Sequence, residues 1–243
     1  MKKVLSRSSS VSKSALTVPA PDASVTTLPN GLEVIIREDH AHPLVSVQVW
    51  IKAGSLHEEQ HSGAGIAHCV EHMLFKGTEK RDPAQISQGI QALGGYVNAY
   101  TSFNRTVYWI DGLAEHTEGY LDILADMVRH SKLDADELAR EKDVIRREMA
   151  MGHDDPGDTI QHLVQATSFR RHPLRHPIIG HREVFDQITR VDIHGFVQRH
   201  YVPNNAFIVI AGDVDTKATL EAISRLFGDW KRRAFDPVLL PDE

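Results

Sequence analysis

Apolar and polar residues alternate in two early segments, Leu32–Arg37 and Val45–Ile51, a pattern typical of strands with one buried face. A β-hairpin is expected at residues 96–101 and 106–111, and a further strand at 206–211. Helices are expected around residues 65–77, 82–94, 114–130, 134–169, 192–201 and 217–227. Strands and helices therefore occur together along the chain, and the pattern predicts an α+β fold.

Composition narrows the class of protein. The 243 residues are 41% hydrophobic and 25% charged, as in soluble globular proteins. The net charge of -6 gives no reason to expect a nucleic-acid partner. No apolar run approaches the roughly 18 residues of a membrane-spanning helix, so no membrane span is expected. Cys69 is the one cysteine, which excludes an intrachain disulfide.

The first 24 residues differ from the rest of the chain. They contain Lys2, Lys3, Arg7 and Lys13, many serines, and no acidic residue before Asp22. They lack the continuous apolar stretch of a secretory signal, and the amphipathic pattern of a mitochondrial transit peptide is poor. We therefore predict a flexible tail at residues 1–24, a domain at 25–243 and a cytoplasmic location. Mitochondrial and periplasmic locations remain open.

The most informative motif is H-x-x-E-H, formed by His68, Glu71 and His72. Residues four apart share one face of a helix, so the two imidazoles can bind one ion. The motif is a known catalytic zinc signature. Chance is the alternative, because the chain has 15 histidines. The surrounding residues are mostly apolar, however, and buried polar side chains need partners that a metal ion can supply.

A third ligand must come from elsewhere in the chain, because a catalytic zinc usually has three protein ligands and an open position for water. The best candidates lie in the helical segment 138–149. Glu141 and Glu148 are seven residues apart there, which places them on one face. The alternative for such a charged segment is a solvent-exposed helix with no role in the site.

The chain resembles the N-terminal half of a family M16 metallopeptidase, the group of pitrilysin, insulin-degrading enzyme and mitochondrial processing peptidase. In that family a ligand glutamate follows H-x-x-E-H by about 76 residues, and a supporting glutamate precedes the ligand by seven. Glu148 lies 76 positions after His72, and Glu141 matches the supporting residue. Other segments that resemble the family are 28–32, 54–58, 75–78, 94–102 and 211–214.

The resemblance implies a role for each matching residue of the centre. His68, His72 and Glu148 would bind one Zn²⁺ per chain, and Glu71 would be the general base. Glu141 would orient a ligand from behind. The implied fold is a mixed, mostly antiparallel sheet flanked by helices.

The resemblance also implies how substrate is bound. Asn98, Ala99 and Tyr100 would form a strand edge that pairs with an extended peptide or an unfolded protein. Without the resemblance, this segment is an ordinary strand. Family enzymes also pair two homologous halves, so a second M16 domain is expected as a partner, in a homodimer or a heterodimer.

A self-sufficient peptidase has three alternatives. S-ribosylhomocysteine lyase shares the H-x-x-E-H motif but needs a later thiolate, and no cysteine follows Cys69. A non-catalytic family subunit usually has a degraded motif, whereas this motif is intact. A zinc-binding half whose activity depends on another chain stays open.

Overall fold

A computed structural model describes residues 22–234 and 238–243. The predicted tail lies mostly outside them, and its last residue, Ser24, already belongs to a strand. No helix among the described residues is long and apolar enough to cross a membrane. The strands are β1 (Ser24–Thr27), β2 (Glu33–Glu38), β3 (Leu44–Ile51), β4 (Tyr96–Thr101), β5 (Thr106–Leu113) and β6 (Ala206–Gly212). The helices are α1 (Ile66–Leu74), α2 (Pro83–Ala92), α3 (Thr117–His130), α4 (Ala135–Asp154), α5 (Pro156–Ser168), α6 (Arg182–Phe185), α7 (Arg190–His200) and α8 (Thr216–Phe227).

The six strands form one sheet in the order β1-β2-β6-β3-β5-β4. Only the pair β2–β6 is parallel, and the other four neighbouring pairs are antiparallel. The α+β fold with a mixed, mostly antiparallel sheet is therefore confirmed. Strand β4 lies at one end of the order and pairs with β5 alone, so its outer backbone edge is unpaired within the sheet.

The two faces of the sheet differ. Val34, Ile208, Val49 and Tyr108 oppose one another across four strands, and all are buried. Helices α1, α3 and α8 contact strands of the sheet and cover this face. Successive residues of a strand point to opposite faces, so the neighbouring residues form a second, half-exposed face.

One predicted helix, residues 134–169, is two helices in the structure. Helix α4 ends at Asp154 and α5 begins at Pro156. Proline lacks an N–H and disfavours helical backbone in the residue before it, and Asp155 is extended, with ψ at 119°. The Asp155 carboxylate accepts hydrogen bonds from the backbone N–H groups of Gly157 and Asp158 and so caps α5.

Smaller differences concern element ends. The helix expected from residue 114 begins at Thr117, because β5 continues to Leu113 and a short 3₁₀ turn follows. Helix α1 ends at Leu74, three residues before Gly77. Neither β1 nor the four-residue α6 was predicted.

The start of α1 is held by a later loop. Gly65 and Gly180 both have positive φ angles, and a Cβ on Gly65 would lie 2.1 Å from the carbonyl oxygen of Ile179. The backbone N–H of His181 donates to the carbonyl oxygen of Gly63 at 2.8 Å. Because no side chain fits between Gly65 and the backbone of Ile179 and Gly180, these two backbone segments pack directly against each other.

Candidate metal centre

Helix α1 presents the two histidines of the motif side by side. The ring centroids of His68 and His72 are 4.7 Å apart, as expected for residues one turn apart. The other residues of this helix fix its orientation, because most of them are buried in the core. These buried residues are Ile66, Ala67, Cys69, Val70, Met73 and Leu74.

Helix α4 brings Glu148 to the same place. Its Oε1 lies 3.6 Å from Nε2 of His68, and its Oε2 lies 3.5 Å from Nε2 of His72. Leu138, Glu141 and Ile145 are the buried residues of α4 and set its inner face. The neighbouring His68 imidazole holds the pKa of the Glu148 carboxyl below its usual value.

The three residues are compatible with a zinc ion. One donor atom from each lies within 4.8 Å of the others, and no other such group of three occurs in residues 22–234 and 238–243. Two imidazole nitrogens and one carboxylate oxygen are ligands of hydrolytic zinc sites. Ligand atoms about 2.0–2.1 Å from a tetrahedral ion lie about 3.4 Å from each other. The observed distances of 3.5 and 3.6 Å are close to that value.

Glu141 lies behind His72. Its Oε2 is 3.1 Å from Nδ1 of His72, and its Oε1 forms an ion pair with Nζ of Lys76 at 2.6 Å. Glu141 is only 5% exposed, so these two contacts satisfy a buried carboxylate. Sequence reasoning missed Lys76, although it follows His72 by four residues.

His68 and His72 differ in the hydrogen-bond partners of their Nδ1 atoms. Nδ1 of His68 is buried and has no hydrogen-bond partner among the residues that the structure describes. Nδ1 of His72 faces a carboxylate, so its proton is held there and Nε2 keeps its lone pair.

Glu71 lies half-buried between the centre and the sheet. The hydroxyl of Thr101, at the end of β4, donates to Oε2 of Glu71 at 2.6 Å. Thr101 was not among the predicted site residues, although it belongs to the segment 94–102 that resembles the family.

The three residues of the predicted substrate edge lie on β4, as expected. The backbone N–H of Ala99 is bound by Oδ1 of Asn98 at 2.8 Å rather than by β5. Tyr100 lies beside Trp109, with ring centroids 5.9 Å apart, and its hydroxyl accepts from Nε of Arg105 at 3.1 Å. Because side chains alternate, Asn98 and Tyr100 lie on the face opposite Ala99.

A groove with a volume of about 1150 Å³ begins at the centre. His68, Glu148 and Thr101 line it at the centre, and residues from the C-terminal part of α4, from α5 and from the segment 175–183 line most of the rest. Helix α5 has no buried residue, so this wall of the groove is exposed to solvent.

Glu58 is a buried acid at the start of α1 that sequence reasoning did not assign. Its oxygens accept the backbone N–H groups of Gly65 and Ala67, both at 3.1 Å. Desolvation raises the pKa of Glu58 to about 7, against the opposing effect of these hydrogen bonds. The carboxyl thereby supplies partners to the otherwise unpaired first turn of the helix that carries the histidines.

The other potential metal ligands lie away from the centre or are inert. Cys69 is fully buried, and burial raises the pKa of its thiol to about 12. Seven histidines outside the motif are all at least partly exposed. They are His57, His61, His153, His162, His172, His176 and His181.

Family models match most of the chain. The model described as Insulinase (Peptidase family M16) matches residues 33–182, and the model described as Peptidase M16 inactive domain matches residues 187–243. The chain therefore belongs to peptidase family M16, as the sequence motifs predict.

Relatives and solved structures agree with this assignment. A probable mitochondrial-processing peptidase subunit beta of Arabidopsis thaliana is 36% identical over 86% of this chain and 39% of its own length. An uncharacterized zinc protease of Mycobacterium leprae is 37% identical over 84% of this chain and 45% of its own length. The crystal structure of a protease from Helicobacter pylori superposes with a TM-score of 0.82 and 28% identity. That match covers 92% of this chain and 53% of the other. The chain thus spans about half the length of these relatives.

Proposed function

We propose that this chain is the zinc-binding catalytic half of an M16 endopeptidase that hydrolyses extended peptides or unfolded polypeptides. The observation that carries the proposal is the convergence of His68, His72 and Glu148 on one point beside Glu71. The Glu71 carboxylate does not belong to this group of three ligands and is bound by Thr101 instead. Relatives named as zinc proteases support the metal and the class of reaction.

His68, His72 and Glu148 would hold one zinc ion per chain. Zinc, when bound, supplies Lewis acidity to the scissile carbonyl. Glu71 would accept a proton from the attacking water as the new C–O bond forms. It would then give the proton to the amine nitrogen as the C–N bond breaks. Glu141 and Lys76 would keep His72 in the tautomer that leaves Nε2 free.

The outer edge of β4 would bind the substrate backbone. Ser102 N–H donates to the carbonyl oxygen of Arg105, and hydrogen-bonded and non-hydrogen-bonded pairs alternate along an antiparallel ladder. This alternation leaves the N–H of Ala99 outside the ladder, where a peptide strand could pair with it. In the structure, Oδ1 of Asn98 accepts a hydrogen bond from that N–H, so the Asn98 side chain would move aside when a peptide binds.

A second homologous domain would complete the active site, from a partner chain or a longer form of this one. The relatives are about twice as long as the matched region, which supports this partner. The alternative is a zinc-binding, non-catalytic subunit of a heteromeric M16 complex. The intact Glu71 and its hydrogen bond to Thr101 favour the enzyme. The domain boundary at residue 25 and the cytoplasmic location stay predictions.

The decisive experiment compares wild type with Glu71→Gln in the presence of the second M16 half. Wild type should cleave an unstructured peptide in a chelator-sensitive reaction. Glu71→Gln should keep its zinc by elemental analysis and lose at least about 100-fold in kcat, the usual contribution of a general base. Equal cleavage by both proteins would disprove the mechanism, and zinc binding without cleavage by wild type would favour the non-catalytic subunit.

A further inference from the structure

Thr101 makes the one side-chain hydrogen bond to Glu71 that the described residues provide. The distance from Oγ1 to Oε2 is 2.6 Å. The hydroxyl hydrogen is committed to this bond, because a carboxylate can only accept. Among the described residues, Oε1 of Glu71 has no hydrogen-bond partner. One carboxylate oxygen is therefore held by Thr101, and the other is available to accept a proton.

The hydroxyl itself is held firmly. Thr101 pairs with Thr106 at the end of the β4–β5 ladder, and the next residue, Ser102, donates to the carbonyl oxygen of Arg105. Gly54 packs so closely that a Cβ there would lie 2.0 Å from the carbonyl oxygen of Ser102. A β-branched side chain in a strand has restricted χ1 freedom, so the backbone determines where the hydroxyl points.

The position of Thr101 is as informative as its bond. Its side chain lines the groove together with His68 and Glu148. Its backbone lies two residues from Ala99, on the strand whose free edge is the proposed peptide-binding edge. One hydroxyl thus connects the proposed base with the strand that would hold the substrate.

We propose that Thr101 is a positioning residue that fixes the Glu71 carboxylate in the orientation needed for proton transfer. The inference rests on the proposed function. A long glutamate side chain that is only half-buried has several rotamers, and a base must be held close to the reacting geometry to be effective. Thr101 selects one of these rotamers and aligns it with the peptide-binding strand.

The test compares Thr101→Val with Thr101→Ser in the zinc-loaded protein with its second half. Valine keeps the shape of threonine without the hydroxyl, whereas serine keeps the hydroxyl without the methyl group. Thr101→Val should lower kcat by roughly tenfold or more, as expected for a lost hydrogen bond to a charged group. KM should stay within about twofold and zinc content should equal that of wild type, because no ligand is touched. Thr101→Ser should recover most of kcat.

Crystal structures of the same variants give a readout that does not depend on activity. The Glu71 carboxylate should keep its wild-type position in Thr101→Ser and leave it in Thr101→Val. Should Thr101→Val fail to fold, Thr101→Ala replaces it in both measurements. Wild-type kcat in Thr101→Val, or equal losses in the valine and serine variants, would overturn the inference. If wild type cleaves no peptide, the proposed function fails, and the carboxylate positions still decide whether Thr101 holds Glu71.

Discussion

Glu141 Oε2 lies 3.1 Å from Nδ1 of His72, on the nitrogen opposite the one that faces Glu148. The ring of His72 is therefore held between two carboxylates that come from the same helix, two turns apart. His68 has no comparable support at its own Nδ1 within the described residues. The two histidines should therefore respond differently when the surroundings of the centre are changed.

The first prediction ranks the acidic residues of α4 by their effect on zinc. Glu148→Gln should lose most of the bound metal, because a charged ligand is replaced. Glu141→Gln should weaken zinc binding by roughly 10- to 100-fold, the usual effect of losing an orienting partner. Competition with a chelator measures both affinities. Glu137→Gln, in the first turn of the same helix, is the matched control and should bind zinc like wild type. Unchanged zinc content in Glu148→Gln would exclude that residue as a ligand.

The second prediction concerns stability at low pH. His200 is 1% exposed, and burial lowers the pKa of its imidazole from 6.5 to about 4. Because the pKa of His200 is lower in the folded than in the unfolded state, its contribution to the unfolding free energy is complete above pH 6.5. This contribution is lost as the pH falls towards 4. The loss between pH 7.5 and 5 should be about 2 kcal/mol of unfolding free energy.

Urea unfolding at the two pH values checks this contribution. His200→Gln should show a smaller pH-dependent loss than wild type, whereas the exposed His153→Gln should match wild type. The same loss in His200→Gln and wild type would assign the acid sensitivity to other groups.

The third prediction concerns the buried acid at the start of α1. Glu58→Gln should lower the unfolding free energy by about 1–3 kcal/mol. The two carboxylate oxygens accept from Gly65 and Ala67, whereas a glutamine amide has one oxygen and an NH₂ group that cannot accept. Denaturant unfolding at pH 8 measures the loss. Glu59→Gln, at the exposed neighbouring position, should have a smaller effect. Wild-type stability in Glu58→Gln would show that the helix start does not depend on this carboxyl.

The fourth prediction tests the free edge of β4. Ala99→Pro removes an N–H that lies outside the ladder with β5, so the sheet should survive. Loss of one backbone hydrogen bond to the peptide should raise KM about fivefold. Ala99→Ser keeps the N–H and is the control. Identical KM values for the two variants, with normal zinc content, would argue against pairing at this edge.

The fifth prediction concerns the second half. On exposed α5, Ile160 is 66% and Leu163 is 58% accessible, and the groove beside them is open to water. An open site loses the electrostatic advantage of an enclosed one. The isolated monomer should therefore fold and bind zinc but cleave unstructured peptides poorly. Light scattering identifies the monomer, and robust chelator-sensitive cleavage by that monomer would contradict the expectation.

Local patterns predicted most of the strands and helices, because alternation and helical periodicity are properties of short segments. The break at Pro156 was missed even though the Asp-Pro signal is present, since the helical pattern continues on both sides. Strand β1 was missed because four residues are too short to show a pattern.

The candidate centre was predictable only in part. The histidines lie on one helix, so their spacing alone indicates a shared face. The choice of Glu148 needed the family resemblance, because no local pattern shows which helix packs against α1. Thr101, Lys76 and Glu58 act through contacts formed only by folding. The hydrogen bond between Glu71 and Thr101 joins residues 30 positions apart in two different elements.

The close contact between Gly65 and Gly180 determines how much of the chain a minimal zinc-binding fragment must include. His68, Glu71, His72, Glu141 and Glu148 all precede residue 150, so a fragment that ends soon after α4 would contain every residue of the centre. Such a fragment would lack the backbone of Ile179 and Gly180, against which the first turn of α1 packs. It would also lack the hydrogen bond from His181 to Gly63. Fragment boundaries for spectroscopy or protein engineering should therefore lie beyond residue 181.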